Sequence, residues 1–267
     1  MRRYEAMFAR GHGVFVPFLM LGDPDPGTSL ELVRALVRGG ADALELGIPF
    51  SDPVADGPVI QAAATRALAS GTRVRHAWEV IAAIRAEQSH TPIGLLVYAN
   101  LVLHRTAADF YRDAANAGVD SVLIADLPLR EAAAVDAVAE DHGIAPVHIA
   151  PPNADATRLT AIARASKGYV YVTSRPGVTG ADDRLHDGSA RIISVLKSAG
   201  APPALLGFGI SRPAHVRQAL ELGAAGAISG SAVVRRVEES LGDLGRMVAA
   251  VEAIVREMKA ATELLVR

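Results

Sequence analysis

Short runs of β-branched and leucine residues alternate with longer alanine-rich stretches along the whole chain, and this alternation constrains the fold more than any other feature. The runs at 14–20, 42–48, 93–98, 121–125, 145–149, 169–173, 204–207 and 225–229 read as buried strands. Between them apolar residues recur at helical spacing, over 29–38, 78–87, 107–117, 130–141, 190–199 and 213–222. Several helices end in a glycine that supplies a left-handed turn back toward the next strand, as at Gly40, Gly118 and Gly223. Repeated β-then-α units require parallel strands with right-handed crossovers. Eight of them in 267 residues predict an α/β fold, a single (β/α)8 TIM barrel over 1–267, with an open doubly wound sheet as the alternative. No linker, low-complexity tract or charge block divides the chain. Residues 3–10 are expected to form a short helix plugging the bottom of the barrel, and 244–266 a helix packed on its outside.

Composition narrows the function classes. With a formal net charge of -2 and no Lys/Arg run, the chain lacks a basic surface for nucleic acid, and aromatic residues at 4% are too sparse for a base-stacking platform. Without cysteine there is no disulfide framework, thiolate metal site or thiol nucleophile. The apolar run 14–21 is too short to span a bilayer and contains Pro17, so it reads as a strand and the protein as cytoplasmic. The histidines show no metal-ligand spacing, and His148, between inward residues, is expected to face the helix layer.

Strand parity exposes one acid. Along 42–48, Leu44, Leu46 and Ile48 suit the apolar helix layer, which leaves Ala43, Glu45 and Gly47 pointing into the barrel. A carboxyl there, near the C-terminal end of a barrel strand, lies where barrel active sites form, and desolvation raises its pKa into the range of general acid–base work. The bland alternatives are a Glu tied into an interior hydrogen-bond network, or a strand register shifted by one. The following loop, Pro49-Phe50-Ser51-Asp52-Pro53-Val54-Ala55-Asp56-Gly57-Pro58, carries two more acids on the same face, each either a turn-forming Asx residue or functional.

Three small-residue loops follow the last strands: Gly177-Val178-Thr179-Gly180, Gly207-Phe208-Gly209-Ile210-Ser211, and Gly230-Ser231, which opens a helix. Glycines let backbone N–H groups approach an anion, a helix N-terminus adds partial positive charge, and barrels commonly seat a phosphate after strands seven and eight. One loop would signify only a tight turn; three converging predict a phosphate cup. The Gly207-Phe208-Gly209 start of a dinucleotide fingerprint fails at Arg212. The long connection 174–187 reads as a lid or a solvated loop.

These motifs, in order, resemble the tryptophan synthase α subunit family. The resemblance is carried by Leu44-Glu45-Leu46-Gly47-Ile48-Pro49-Phe50-Ser51-Asp52-Pro53, Ala55-Asp56-Gly57-Pro58, Tyr98-Ala99-Asn100, Ala125-Asp126-Leu127-Pro128, Ala150-Pro151-Pro152-Asn153 and the three glycine loops. It implies a lyase that reversibly cleaves indole-3-glycerol phosphate to indole and glyceraldehyde 3-phosphate. By the same resemblance Glu45 is the general acid–base and Asp56 the carboxylate that holds the indole N–H. Phe18, Leu96, Tyr98, Ala125, Ile149, Tyr171, Phe208 and Ile228 match the indole pocket. Gly180, Gly209, Gly230 and Ser231 match the phosphate site, and Thr179 a lid residue that contacts Asp56. Asp52 and Pro53 match a contact region for a β subunit that carries pyridoxal phosphate, and the resemblance implies an α2β2 assembly with no cofactor or metal in this chain. Met20 and Pro176 depart from the pattern, at the barrel mouth and in the lid. A partner-independent indole-releasing lyase, another sugar-phosphate barrel enzyme and a subunit without catalysis are the rival readings.

Overall fold

The computed structural model describes residues 2–173 and 188–263. Its strands are β1 (Val14–Met20), β2 (Leu44–Gly47), β3 (Ile93–Val97), β4 (Ser121–Ile124), β5 (Ala145–Val147), β6 (Ile149–Ala150), β7 (Val170–Thr173), β8 (Ala204–Gly207) and β9 (Gly226–Ser229). All paired strands run parallel, in the order β5-β4-β3-β2-β1-β9-β8-β7-β6. The outermost segments, β5 and β6, are consecutive in the chain and separated only by His148, so the ring of strands comes together there. The architecture is the expected α/β barrel.

One expected strand is split. The run 145–149 is interrupted at His148, whose Nε2 lies 3.0 Å from Asp136 Oδ2 on the helix Leu129–Asp141, while its C=O accepts from the Tyr171 N–H at 3.1 Å. Pro146 in β5 has no N–H to give to a ladder, which shortens the pairing further. The side chain faces the helix layer, as parity required.

Two packed layers follow from strand alternation. Leu44, Leu46 and Ile48 join an outer cluster against the helices with Leu32, Leu36 and Ile81. Val14, Val16, Ala43, Leu123, Val147, Tyr169, Tyr171, Leu205 and Ile228 fill the inside of the barrel. The helix Arg2–Phe8 closes the bottom: Tyr4 and Met7 enter the interior cluster, and the Tyr4 hydroxyl lies 2.8 Å from Ser121 Oγ. Below the strands, buried Asp120 takes Arg3 at 2.8 Å and Arg85 at 2.6 Å and accepts the Ile93 N–H, so its charge is compensated three ways. The long C-terminal helix Leu244–Ala260 lies outside the barrel and is tied to it by Lys259, 2.8 Å from buried Asp42. These contacts hold the N-terminal end of the barrel and leave its C-terminal end free for chemistry.

Candidate active site

At the C-terminal end a cavity of about 460 Å³ opens between the β1, β2, β8 and β9 ends. Glu45 reaches it from β2 and is 1% exposed. Burial pushes its carboxyl up to about 7, against a hydrogen bond from Tyr169 that lowers it. That bond runs from the Tyr169 hydroxyl to Glu45 Oε1 at 2.8 Å. The Tyr169 ring in turn rests on Tyr4, with centroids 5.5 Å apart, so the acid stands on the plug that closes the barrel.

Asp56 enters the same cavity from the loop after β2. Burial pushes its carboxyl up to about 6, while the Tyr98 hydroxyl donates to it and holds it down. The same hydroxyl accepts from the Ala55 N–H at 3.1 Å, and the Tyr98 ring stacks on Phe50, centroids 5.3 Å apart. Gln61 Nε2 donates to the Asp56 carbonyl at 2.7 Å. The loop is therefore pinned on both sides of the carboxylate. Near neutral pH one buried acid is poised to gain or lose a proton while the second is mostly ionised, a division of roles suited to acid–base chemistry.

The cavity walls are apolar: Phe18, Leu96, Tyr171, Phe208 and Ile228 line it, with Val59 and Ile60 from the helix Pro58–Ala69. Tyr171 and Phe208 meet edge to face at 5.9 Å. Gly207 permits this packing, because a Cβ there would lie 2.2 Å from the Tyr171 hydroxyl. Phe208 itself sits in the left-handed region at φ 63, a conformation costing roughly 1–3 kcal/mol that functional sites concentrate.

At one end the wall becomes Gly209, Ile210, Gly230 and Ser231. The Ser229 hydroxyl donates to the Ile210 carbonyl at 2.7 Å, drawing the loops after β8 and β9 together. The helix Ser231–Glu238 begins there with Gly230 as N-cap, which brings no side chain to satisfy the first-turn N–H groups.

Most of the residues singled out from the sequence thus meet around one cavity. Tyr98 is not in its wall but behind the loop, on Asp56. Ala125 and Ile149 pack in the barrel interior beside Leu96, Tyr171 and Phe208 without lining the cavity. Asp52 and Pro53 do not line it; they lie next to Val54, which is 79% exposed. Met20 is buried against Ile60 and Val234 rather than open at the mouth. Pro176, Thr179 and Gly180 lie outside the described residues. Two further residues, Tyr169 and Arg235, are not evident from sequence pattern. Tyr169 has the inward parity that exposed Glu45, and Arg235 lies four residues beyond Ser231, on the same helical face.

Fold and cavity together define a barrel enzyme that moves protons on a partly apolar, anion-bearing substrate. The family model described as "Tryptophan synthase alpha chain" matches residues 4–263. The tryptophan synthase alpha chain of Shewanella oneidensis is 53% identical over 97% of this chain and 95% of its own length. That of Cronobacter sakazakii is 52% identical over 98% and 99%. Among solved structures, tryptophan synthase subunit alpha from Legionella pneumophila superposes with a TM-score of 0.87 at 31% identity, over 98% of this chain and 97% of that one. A chain of the tryptophan synthase α2β2 complex of Pyrococcus furiosus gives 0.85 at 35% identity, over 92% and 98%. The chain belongs to the tryptophan synthase alpha chain family, lyases that cleave indole-3-glycerol phosphate to indole and glyceraldehyde 3-phosphate. Among the described residues no helix is long and apolar enough to cross a membrane.

Proposed function

We propose that the family's cleavage runs in this cavity on Glu45 and Asp56. The indole ring lies between Phe18, Leu96, Tyr171, Phe208 and Ile228, and the phosphate on Gly209, Gly230 and Ser231; the family resemblance adds Gly180 to the phosphate site and gives Thr179 a role toward Asp56, both outside the described residues. Protonated Glu45 gives its proton to indole C3. The ring nitrogen takes up the positive charge, and its N–H is held by the Asp56 carboxylate. Glu45, now a carboxylate, removes the proton of the hydroxyl on the adjoining side-chain carbon. As that C–O becomes an aldehyde, the bond to C3 breaks and its electron pair returns to the ring, releasing indole and glyceraldehyde 3-phosphate with Glu45 reprotonated. The observation that carries this reading is a buried acid with a pKa near 7 sharing a cavity with a second carboxylate.

The cycle needs only proton transfers at indole C3 and at the side-chain hydroxyl together with the carbon–carbon cleavage, so we assign no metal or cofactor to this chain. Asp52 and Pro53, beside exposed Val54, offer a contact face at the rim of the same loop. We assign that face to a β subunit, which would carry the pyridoxal phosphate and receive the indole. The α2β2 assembly of the Pyrococcus furiosus neighbour supports such a partnership. We assign the enzyme to the cytoplasm, where a membrane-impermeant phosphorylated substrate would be retained. The test is Glu45→Gln: it should abolish indole release while keeping affinity for an indole-alkyl phosphate that lacks the reacting hydroxyl. Unchanged turnover, or binding lost together with turnover, would overturn the assignment.

A further inference from the structure

We propose that Arg235 is a substrate-binding residue that supplies the phosphate site with its cation. This rests on the reading of the cavity given above and adds to it a charged recognition element. The described lining contains two carboxylates, Glu45 and Asp56, and one cation, Arg235. A phosphate dianion entering such a cavity meets two acids and a cup of neutral backbone groups. Without a compensating charge, the field of the site opposes its own substrate.

The placement of Arg235 fits that task. It lies four residues after Ser231 on the helix Ser231–Glu238, on the same face and about 6 Å along the axis. Helical side chains tilt toward the helix N-terminus, so the Arg235 stem leans toward Gly230-Ser231 rather than away from it. The other charged side chains of the helix are engaged: Arg236 pairs with Glu239 at 2.7 Å, and Glu238 with Arg66 at 3.4 Å. Among the described residues Arg235 has neither a hydrogen-bond nor an ion-pair partner. It is exposed at the rim, where its planar fork can cover the solvent side of a phosphate whose inner oxygens face the glycine loops. Because the guanidinium is solvated, its contribution is modest and screened by salt.

The test is indole release from indole-3-glycerol phosphate by the full chain at low and high ionic strength, for wild type, Arg235→Gln and Arg235→Lys. Arg235→Gln should raise KM about 3- to 10-fold at low salt, with kcat within about twofold, and the difference should shrink at high salt. Arg235→Lys should recover most of the loss. Inhibition by inorganic phosphate should weaken by a similar factor in Arg235→Gln while inhibition by indole stays as in wild type. A KM equal to wild type at low salt overturns the assignment, as does equal weakening of phosphate and indole inhibition, which marks a structural role. A wild-type chain that releases no indole overturns instead the reading of the cavity on which the assignment rests.

Discussion

Replacing Glu45 by Gln should stabilise the protein, and should do so only above acidic pH. The Glu45 carboxyl is pushed up to about 7 by burial, from an ordinary value of 4.5 in the unfolded chain. Between those values the folded state holds a proton that the unfolded state has released, so unfolding becomes easier as pH rises. The favourable contribution is complete below about pH 4.5 and lost as pH climbs through about 7. For a shift of this size the loss is about 3 kcal/mol in full, most of it between about pH 5 and about pH 8.5. Gln has the same shape, does not titrate, and keeps an oxygen to accept the Tyr169 hydroxyl, now 2.8 Å from Glu45 Oε1. Asp56 and every other titrating group are common to both proteins and cancel in the comparison. Urea unfolding of both at about pH 5 and about pH 8.5 should show Glu45→Gln gaining roughly 2–3 kcal/mol over wild type between the two conditions. A gap that does not change with pH, or that moves the other way, refutes the argument that burial tunes this acid.

Activity should report the same groups. With Asp56 pushed up to about 6 and Glu45 to about 7, kcat/KM for indole release should rise as Asp56 ionises and fall as Glu45 loses its proton. A profile flat from about pH 5.5 to about pH 8.5 contradicts the pairing of roles. At the phosphate end, Gly230→Asp adds a Cβ in ordinary contact with Phe18 at 3.7 Å, and φ there is -102, so the fold should persist. Its carboxylate should raise KM by about tenfold or more, read by steady-state kinetics beside thermal unfolding; an unchanged KM means the cup is misplaced. Gly207→Ala should cost about 1–3 kcal/mol by displacing the Tyr171 ring, measured by urea unfolding. A wild-type midpoint would show that Tyr171 has room to move.

Strand parity makes the interior of the barrel legible from the sequence alone. Glu45 and Ile228 face inward because every second residue of a barrel strand must, and the apolar partners Leu44 and Leu46 left Glu45 no other direction. The glycine loops were legible for a different reason, since Gly209 and Gly230 follow the last two strands, whose ends neighbour each other. What pattern did not reveal were contacts between residues far apart in sequence. The Tyr169 hydroxyl bond to Glu45 joins two strands on different sides of the ring, and nothing local announces it. Tyr98 was expected in the pocket wall, yet its hydroxyl serves Asp56, because the loop after β2 folds back over the end of β3. The break at His148 likewise depends on Asp136 in a neighbouring helix, which supplies a partner outside the barrel. Arg235 escaped because two adjacent arginines on a charged helix read as a solvated face until the cavity beside one of them is seen.

The most direct test of the account is indole release from indole-3-glycerol phosphate in deuterium oxide, comparing the wild-type chain with Glu45→Gln. Wild type should release indole bearing one deuterium at C3, delivered by exchanged Glu45, and the variant should release essentially none. Indole from wild type without deuterium at C3, or release by Glu45→Gln at the wild-type rate, would contradict it.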